Sequence, residues 1–563
     1  MKRKAFQALL AMCASLSAIV AACDGCRSGG NKDAGAPVAE VGLPTVRLYV
    51  LADLAGALEP CGCQKDMLGG FDHFASLVAK ERDKAPKSAV VTVGPTFYMD
   101  ETPKPDHLQQ DDWKADAIAS VLKGVGFAAF APGKNDWAVS GDRLDKLREA
   151  SGGALVAGNL TGKGSAGAVA YAIRDIGGTK VAFVGVSVPK TEKGAPSEVV
   201  IADATAALAS AARRAKTEGA RIVVGLAAID PGDANRAAEK IPELDVLAIG
   251  SPATDGDAND EPKAPRFIGN TLVVRPSNHL TRVAVLDFHV RGDGRFADGS
   301  GLAHAQEVMD LTTQIGELEK KLKGWEADPK VPRADVDAQK KRLGELRAQL
   351  DKAKTPPPTP SGSFVRYQLV DVKGELGKDA SASASMLGFY KKVNTYNQDK
   401  FKDKKAQPPA KGEAFYVGVE TCKVCHTAPY TVWTKAKHFG AYKTLADQSK
   451  EFNLDCVGCH VTGFDKPGGS TVTDLVTPDL KNVQCESCHG AGSKHVEDPV
   501  SFALESKPPE TLCQSCHHPP HTDKFVYTDR LDKILGPGHG KPGDKPSNDP
   551  PKGWKPPKAR FQP

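Results

Sequence analysis

Val483-Gln484-Cys485-Glu486-Ser487-Cys488-His489 is the stretch that decides what the C-terminal part of this chain can form. Two Cys are separated by two residues, and a His directly follows the second Cys. The same Cys-x-x-Cys-His (CxxCH) pattern recurs at 422–426, 456–460 and 513–517. Eight of the 13 Cys in the 563-residue chain lie in these motifs, and no Cys occurs between Cys63 and Cys422. The reactive side chains are therefore concentrated near the C-terminus.

The motif spacing has a chemical reason. Two Cys three positions apart reach the two vinyl groups of one haem, and the adjacent His ligates the iron. Zinc ribbons and disulfides are the alternatives, but zinc sites do not need a His directly after every Cys pair. We therefore predict four covalently bound haem c groups, held by Cys422, Cys425 and His426, by Cys456, Cys459 and His460, by Cys485, Cys488 and His489, and by Cys513, Cys516 and His517.

Further His side chains in this region can supply second axial ligands. These are His438, His495, His518, His521 and His539. Two His ligands give a low-spin haem suited to electron transfer, whereas an open sixth position permits substrate binding. The supply suffices for a second ligand at each of the four irons, and any of the five can instead be a surface His.

The residues around the motifs resemble the tetrahaem cytochrome c-554 family. The resemblance extends over 416–541 and is carried by 433–438, 459–464, 483–495, 513–517 and Gly538-His539-Gly540. It implies a mostly helical domain with closely stacked haems, an electron-transfer role, and distal ligands at His438, His495 and His539. In that family one haem can lack a distal ligand, and His518 and His521 leave this open here.

The N-terminus has the pattern of an export signal. Lys2-Arg3-Lys4 precedes an apolar run that ends Val20-Ala21-Ala22-Cys23, which resembles a bacterial lipobox. We expect a lipid anchor at Cys23 that holds the protein on the periplasmic side of a bacterial membrane or at the cell surface. A plain signal peptide or a short membrane anchor is the alternative. The small net charge of +5, from 74 basic and 69 acidic residues, argues against a nucleic-acid partner.

Between about 45 and 300, apolar runs alternate with helical spacing, which predicts a layered α/β fold. The amphipathic stretches 113–123 and 202–216 lie between strand candidates. The strand candidates are 46–51, 89–93, 180–187, 221–226, 245–249, 271–275 and 283–290.

The α/β segment resembles the metallophosphatase domain of bacterial 5′-nucleotidases, at 49–56, 69–71, 124–136 and 157–160. Activity in that family needs carboxylates and imidazoles that together hold two cations. Asp53 is retained here, but Ala55, Gly94-Pro95 and Asn135-Asp136 stand at other ligand positions, and no His occurs between His107 and His279. We therefore expect a degenerate scaffold.

Cys61 and Cys63 form a separate pair close after Asp53. Two thiols flanking a Gly can ligate a soft metal or undergo redox chemistry, with His73 as the nearest third ligand. A local disulfide or structural thiols are the alternative, and the role of the pair is left open.

The remaining sequence suggests connecting elements. Val308, Leu311, Ile315, Leu318 and Leu322 follow a heptad spacing that resumes after Pro332, which predicts an antiparallel coiled-coil hairpin. The expected organisation is a signal peptide (1–22), a flexible tether (23–44), a degenerate metallophosphatase-like domain (45–300), the hairpin (303–354), a strand-helix connector and linker (363–409), a tetrahaem domain (410–541) and a disordered tail (542–563).

These patterns together predict a lipid-anchored multihaem c-type cytochrome that passes electrons between redox partner proteins outside the cytoplasmic membrane. One alternative is a haem oxidoreductase that acts on a small nitrogen or oxygen compound at a five-coordinate haem. Another is a residual metal-dependent phosphoesterase that uses Asp53. An electron-transfer protein is favoured over an enzyme.

Overall fold

The structure of the protein, a computed structural model, describes residues 42–60, 67–190, 199–254, 258–355, 358–518, 522, 525–542, 551–555 and 561. Three predictions concern residues outside this set, namely the export signal with its lipid anchor at Cys23, the pair Cys61 and Cys63, and the ligand candidate His521. Most of the predicted tail also lies outside it.

Strands dominate the first two thirds of the chain. They are β1 (Val46–Ala52), β2 (Ser88–Gly94), β3 (Phe127–Pro132), β4 (Ala154–Leu155), β5 (Leu160–Thr161), β6 (Tyr171–Ile176), β7 (Thr179–Ser187), β8 (Val200–Ile201), β9 (Ile222–Ala228), β10 (Val246–Gly250), β11 (Lys263–Ile268), β12 (Thr271–Arg275), β13 (Arg282–His289), β14 (Ala297–Asp298), β15 (Phe364–Asp371), β16 (Gly536–Pro537) and β17 (Gly540–Lys541).

The α-helices fall into a longer set before residue 401 and a shorter set after it. They are α1 (Phe71–Lys80), α2 (Leu108–Gly124), α3 (Gly141–Ser151), α4 (Ala204–Thr217), α5 (Pro231–Lys240), α6 (Leu302–Ala327), α7 (Arg333–Ala353), α8 (Ala380–Lys400), α9 (Val419–Cys422), α10 (Thr427–Trp433), α11 (Ala441–Ala446), α12 (Val457–His460), α13 (Cys485–His489), α14 (Ser493–Glu497), α15 (Glu510–Gln514) and α16 (Tyr527–Leu531).

We call residues 43–400, which include β15 and α8, the α/β region. Two large sheets form its centre. One sheet has the order β14-β15-β13-β1-β2-β3-β4, and the other has the order β11-β12-β10-β9-β7-β6. Strands β1 to β4 run parallel, as do β7, β9, β10 and β12, while β13, β6 and β11 pair antiparallel with their neighbours. The central parallel strands are continuous apolar runs because both of their faces are buried.

The two sheets pack face to face with helices on both outer sides. Leu226 and Phe288 belong to the apolar layer between the sheets. The outer face of the first sheet packs against α1, α2, α3 and α8, and that of the second packs against α4 and α5. The predicted layered α/β fold is therefore confirmed as helix, sheet, sheet and helix layers.

The structure adds several strands to the seven candidates, among them β3, β6 and β11, and it changes the place of the expected connector. Strand β3 is not among the strand candidates because its sequence, FAAFAP, is rich in Ala, and only its place between β2 and β4 explains its extended form. The expected connector 363–409 supplies β15, which pairs with β13 along its whole length, and α8, whose Met386 and Phe389 pack against the first sheet. This segment is thus part of the layers rather than a simple connection between regions.

Helices α6 and α7 pack against each other over Leu311, Ile315 and Leu346. Two ion pairs join them, Arg347 with Glu319 at 2.7 Å and Lys340 with Glu326 at 2.7 Å. Between the first ion pair and the second, the residue number rises in α6 and falls in α7. The two helices therefore run antiparallel. The helical pair agrees with the heptad pattern, while its supercoiling stays a prediction.

The part that contains the motifs, which we call the CxxCH region (410–541), consists of short helices joined by long irregular segments. Its described apolar core is small and centres on Val457, Val461, Val472 and Leu475, together with Phe401. So small an apolar core offsets only part of the chain entropy that is lost on folding. A further apolar group or covalent constraints would add to the stability of the region. Among the helices that the structure describes, none is long and apolar enough to cross a membrane.

The layer between the sheets gives a stability prediction. Phe288 is fully buried there and contacts Phe296 edge to face, with ring centroids 5.1 Å apart. Phe288→Ala should lower the free energy of unfolding of the α/β region by about 3–5 kcal/mol, because it removes apolar contacts and leaves a cavity. Denaturant unfolding followed by Trp fluorescence measures this. Val200→Ala, at an exposed position, is the control and should change stability by less than about 0.5 kcal/mol.

Candidate functional site

Each CxxCH motif forms a turn of helix or lies at the end of one. The backbone N–H of His426 donates to the carbonyl of Cys422 at 3.0 Å, and that of His517 donates to Cys513 at 2.9 Å. In such a turn, residues three apart share one face. The two thiols of a motif therefore point to the same side, and the His follows at the end of the turn.

Three of the motif His rings lie opposite a second His ring. His426 lies opposite His495 with ring centroids 6.1 Å apart and an interplanar angle of 21°. The other two pairs are His438 with His517, at 6.2 Å and 40°, and His489 with His539, at 6.2 Å and 70°. Each pair combines a motif His with one of the three distal His that the family resemblance implies.

The spacing of these rings fits an iron ion between them. Imidazoles that ligate one metal from opposite sides, through bonds of about 2 Å, have centroids about 6 Å apart. Packed aromatic rings in general lie about 4.5–7 Å apart, so it is the recurrence of one separation at three motif His that points to a shared ligand. The three pairs therefore have the separation expected for axial ligands of a haem.

Backbone carbonyls orient several of these rings. The Nδ1 atoms of His460, His489 and His539 lie 2.6, 2.5 and 2.9 Å from the carbonyl oxygens of Ala441, Glu505 and Ile534. When Nδ1 donates its proton to a carbonyl, Nε2 carries the lone pair that can bind a metal. The hydrogen bonds thus favour the tautomer that an iron ligand needs.

His460 differs from the other motif His. Within the described residues, no aromatic ring contact is present for His460. His438, which belongs to the segment before the second motif, lies opposite His517 of the fourth motif. His518 is half-buried beside the fourth motif, and His521 lies outside the described residues. The site of the second motif is therefore the one without a described distal His.

Thiol contacts bring the motifs together in two pairs. Cys422 hydrogen-bonds Cys485, which raises the pKa of Cys422 and lowers the pKa of Cys485. The bond between Cys459 and Cys516 likewise raises the pKa of Cys459 and lowers that of Cys516, to about 6. The first motif thus adjoins the third, and the second adjoins the fourth.

Glu486 is a positioning residue that the sequence analysis does not identify, although it lies inside the third motif. Its buried carboxylate accepts backbone N–H bonds from Val417 (2.9 Å), Gly418 (2.8 Å) and Gly492 (2.8 Å). Burial raises its pKa, and the three donors oppose this shift. Glu486 therefore fixes the segment before the first motif and the segment before His495 relative to the third motif. Only its contacts reveal this, because one Glu in a motif carries no distinguishing pattern.

The retained residues of the degenerate metal site are engaged within the protein. Asp53 accepts hydrogen bonds from the backbone N–H of Ser251 at 2.7 Å and from its hydroxyl at 3.0 Å. Asn135 donates to the carbonyl of Met99 at 2.6 Å, and Asp136 accepts from the N–H of Phe97 at 2.7 Å. These groups already have partners that a metal-binding arrangement would have to displace.

The surroundings of Asp53 also leave little room for a metal. A Cβ atom at Gly94 would lie 1.9 Å from a carboxylate oxygen of Asp53, so only glycine fits at this position. Among the described residues, the cluster of His, Cys, Asp or Glu that could share one ion is His107, Asp111 and Asp455, which does not include Asp53. His73, the suggested third ligand of the Cys pair, has its Nδ1 2.5 Å from the carbonyl of Gly377. The residues present do not fit a two-metal phosphoesterase site.

Sequence comparisons place the CxxCH region among known cytochromes. Residues 421–490 match the family model described as cytochrome c554 and c-prime. Cytochrome c-554 of Nitrosomonas europaea is 36% identical over 95 residues, which amount to 14% of this chain and 40% of that protein. The chain thus spans less than half of the length of this curated relative. The resemblance noted from the motifs is confirmed.

Solved structures similar to the chain include three phosphoesterase-type proteins. The 5′-nucleotidase precursor of Thermus thermophilus is 13% identical, covers 77% of this chain and 73% of its own, and has a TM-score of 0.43. The NAD nucleotidase of Haemophilus influenzae is 18% identical, with 44% and 54% covered and a TM-score of 0.35. A calcineurin-like phosphoesterase of Bacillus subtilis is also 18% identical, with 43% and 84% covered and a TM-score of 0.35.

The environment of Asp53 gives a pH prediction. Burial raises its pKa from 3.8 to about 6, while the hydrogen bonds from Ser251 oppose this shift. The folded state therefore binds the proton more tightly than the unfolded state, so Asp53 contributes most stability below pH 4 and loses that contribution as pH rises through 6. The free-energy difference between the parent and Asp53→Asn should change by about 2 kcal/mol from pH 4 to pH 7.

Denaturant unfolding of both proteins at several pH values measures this difference. Asp142→Asn, an exposed acid at the start of α3, serves as the control and should give a curve parallel to that of the parent. Parallel curves for Asp53→Asn as well would contradict the buried, proton-binding environment inferred for Asp53.

Proposed function

We propose that the chain is a multihaem c-type cytochrome that transfers electrons between redox partner proteins outside the cytoplasmic membrane. The observation that carries this proposal is the set of three His pairs, each with a motif His and each with ring centroids 6.1 or 6.2 Å apart. A zinc site or a set of disulfides gives no reason for a second imidazole at this distance from three of the four motif His.

Four haem c groups are proposed, one at each motif. The two Cys of each motif would form the thioethers, and His426, His460, His489 and His517 would be the proximal ligands. His495, His539 and His438 would be the distal ligands at the first, third and fourth haems. Bound haem would supply one-electron chemistry, and its large apolar surface would complete the small core of the region.

The paired arrangement of the motifs supports electron transfer from haem to haem. Because the thiols of Cys422 and Cys485 are in contact, the haems that they hold would have neighbouring edges. The same holds for the haems attached at Cys459 and Cys516. Thioether formation removes the protons of these thiols, so the thiol pKa shifts do not persist in the loaded protein.

A second candidate function is favoured by the environment of His460. Its ring is oriented by the carbonyl of Ala441, and no described His lies opposite it. An iron there with an open sixth position could bind and reduce or oxidise a small nitrogen or oxygen compound. His521 is the other candidate for this position, and a ligand from it would make the second haem a pure electron carrier.

Residual phosphoesterase activity ranks below both. The carboxylates of Asp53 and Asp136 accept hydrogen bonds from protein donors, and these donors would compete with the two cations that such a site needs. The proposed site of action outside the cytoplasmic membrane, with a lipid anchor at Cys23, rests on the N-terminal sequence pattern alone.

The proposal predicts the haem content of the mature protein. A pyridine haemochrome assay of the purified full chain, expressed with a c-type haem attachment system, should give four haems per chain. Cys456→Ala/Cys459→Ala should give three, because one pair of thioethers is lost. The control Ser487→Ala, which changes a spacer residue of the third motif, should keep four. A parent protein without covalent haem would sink the proposal.

The ligand assignments predict spin states. In His495→Ala one haem should change from low spin to high spin, because its iron loses the distal imidazole, and His539→Ala should have the same effect. Electron paramagnetic resonance of the oxidised protein measures this. His304→Ala, in helix α6, is the control and should leave the spectrum unchanged. Unchanged low-spin signals in both distal variants would contradict the assignments.

The same spectra separate the two candidate functions. A high-spin signal in the parent that shifts with nitrite or hydroxylamine would favour a five-coordinate second haem. Four low-spin signals that are insensitive to these compounds would favour electron transfer alone.

A further inference from the structure

The second motif is held directly against the α/β region. The backbone N–H of Phe452 donates to Asn394 at 2.8 Å, and its carbonyl accepts from Asn397 at 2.9 Å. The N–H of Leu454 donates to Gln110 at 3.0 Å. Gln110 and Asn397 are almost fully buried. Helices α2 and α8 therefore hold the segment that leads into Cys456.

Two ion pairs of opposite polarity cross the same interface. Lys114 of the α/β region binds Asp455 of the CxxCH region, with Nζ 2.9 Å from a carboxylate oxygen. Glu59 of the α/β region binds Lys450 of the CxxCH region. The side chains of Lys114, Lys450 and Glu59 are 15%, 10% and 19% exposed, and that of Asp455 is 38% exposed. Water and salt therefore screen these charges less than they screen charges on an open surface.

All four charges act on the sulfur of Cys456. Burial raises the pKa of this thiol to about 12, and the carboxylates of Asp455 and Glu59 add to the shift, while Lys450 and Lys114 oppose it. Each region thus contributes one positive and one negative charge next to the attachment point of the second haem.

Neighbouring groups complete this electrostatic environment. Lys114 also lies 3.5 Å from a carboxylate oxygen of Asp111, and Nδ1 of His107 lies 3.3 Å from Asp455. Burial disfavours the charged form of Asp455, yet the charge of Lys114 and the hydrogen bonds from His107 and Lys114 hold its pKa well below its usual range. Asp455 is therefore ionised throughout the physiological pH range, and its charge depends on Lys114 for compensation.

We propose that the α/β region sets the reduction potential of the second haem through these two ion pairs, with Lys114 and Glu59 as its positioning residues. The inference rests on the proposed function, because it requires a haem at Cys456, Cys459 and His460. An oxidised haem carries one more positive charge than a reduced one. A nearby uncompensated carboxylate therefore favours the oxidised form and an uncompensated ammonium favours the reduced form.

Docking alone does not account for these charges. The hydrogen bonds of Gln110, Asn394 and Asn397 already fix the segment before Cys456, and partly buried ion pairs contribute little net stability on average. By contrast, the α/β region contributes a cation to one of the two ion pairs and an anion to the other. It can therefore shift the electrostatic potential at the second haem in either direction. A scaffold whose residues around Asp53 do not fit a two-metal site thereby has a role in the redox chemistry of the chain.

The test uses the full, haem-loaded chain and two substitutions that each remove one cross-region ion pair. Lys114→Met leaves Asp455 uncompensated and should lower the potential of the second haem. Glu59→Gln leaves Lys450 uncompensated and should raise it. Potentiometric titration followed by optical and electron paramagnetic resonance spectra measures the shifts. The signal of the second haem is the one that is absent from Cys456→Ala/Cys459→Ala.

Opposite shifts distinguish tuning from loosened docking, which would move the potential in the same direction in both variants. Arg282→Met is the matched control, because it removes a charge paired with Asp371 and Glu261, far along the chain from the motifs. The double variant Lys114→Met/Asp455→Asn removes a balanced pair and should return the potential toward that of the parent.

Shifts of the same sign, or shifts no larger than those of Arg282→Met, would overturn the inference. Haem content measured on every variant separates this outcome from failure of the proposed function. A parent chain without haem defeats the proposed function, whereas a loaded chain with an unmoved second potential defeats only the tuning role. If Lys114→Met does not fold, Glu59→Gln still decides the matter, because the tuning role requires it to raise the potential of the second haem by more than any shift in Arg282→Met.

Discussion

The structure of the CxxCH region depends on opposing imidazoles that come from distant parts of the sequence. His426 lies opposite His495, His438 opposite His517 and His489 opposite His539, so each pair closes a long loop. The region has few buried apolar side chains to close these loops by packing. A group bound between the rings, and tethered by two thiols, would constrain the chain where the core cannot. The short helices and long irregular segments then serve to hold such bound groups, and the bound groups in turn hold the segments together.

The α/β region is built in the opposite way, with three apolar layers that need no ligand. Its central strands are buried on both faces, and the polar groups at their carboxyl ends have protein partners. Asp53 is satisfied by Ser251, and Gly94 permits this close contact because it has no Cβ. In open α/β sheets, ligands commonly bind at the carboxyl ends of the parallel strands. Here the polar groups around Asp53 at that edge form hydrogen bonds with one another. The region is packed throughout its layers, and the donor set around Asp53 does not fit a pair of metal ions.

Polar contacts join the two regions at the segment before Cys456. Buried amides of Gln110 and Asn397 accept and donate hydrogen bonds to the backbone before Cys456, which fixes the relative placement of helix and motif. Directional bonds specify one arrangement more narrowly than apolar contacts do, because an unmade buried bond is costly. The charged pairs at Lys114 and Glu59 lie in the same interface, and their proximity to Cys456 links the scaffold to the chemistry of the motif.

The sequence by itself determined the layered α/β class, most of the strands and the positions of the four motifs. These features depend on local patterns, namely apolar runs long enough for buried strands and a fixed spacing of Cys and His. It also indicated His438, His495 and His539, although only through resemblance to a family. Tertiary structure alone decided which of these lies opposite which motif His and that β15 and α8 complete the first layers. It also decided that Glu486 joins three segments of the CxxCH region and that Lys114 and Glu59 pair with charges beside the second motif. Those relations join residues far apart in the chain, and no local pattern encodes which distant groups the folded layers bring into contact.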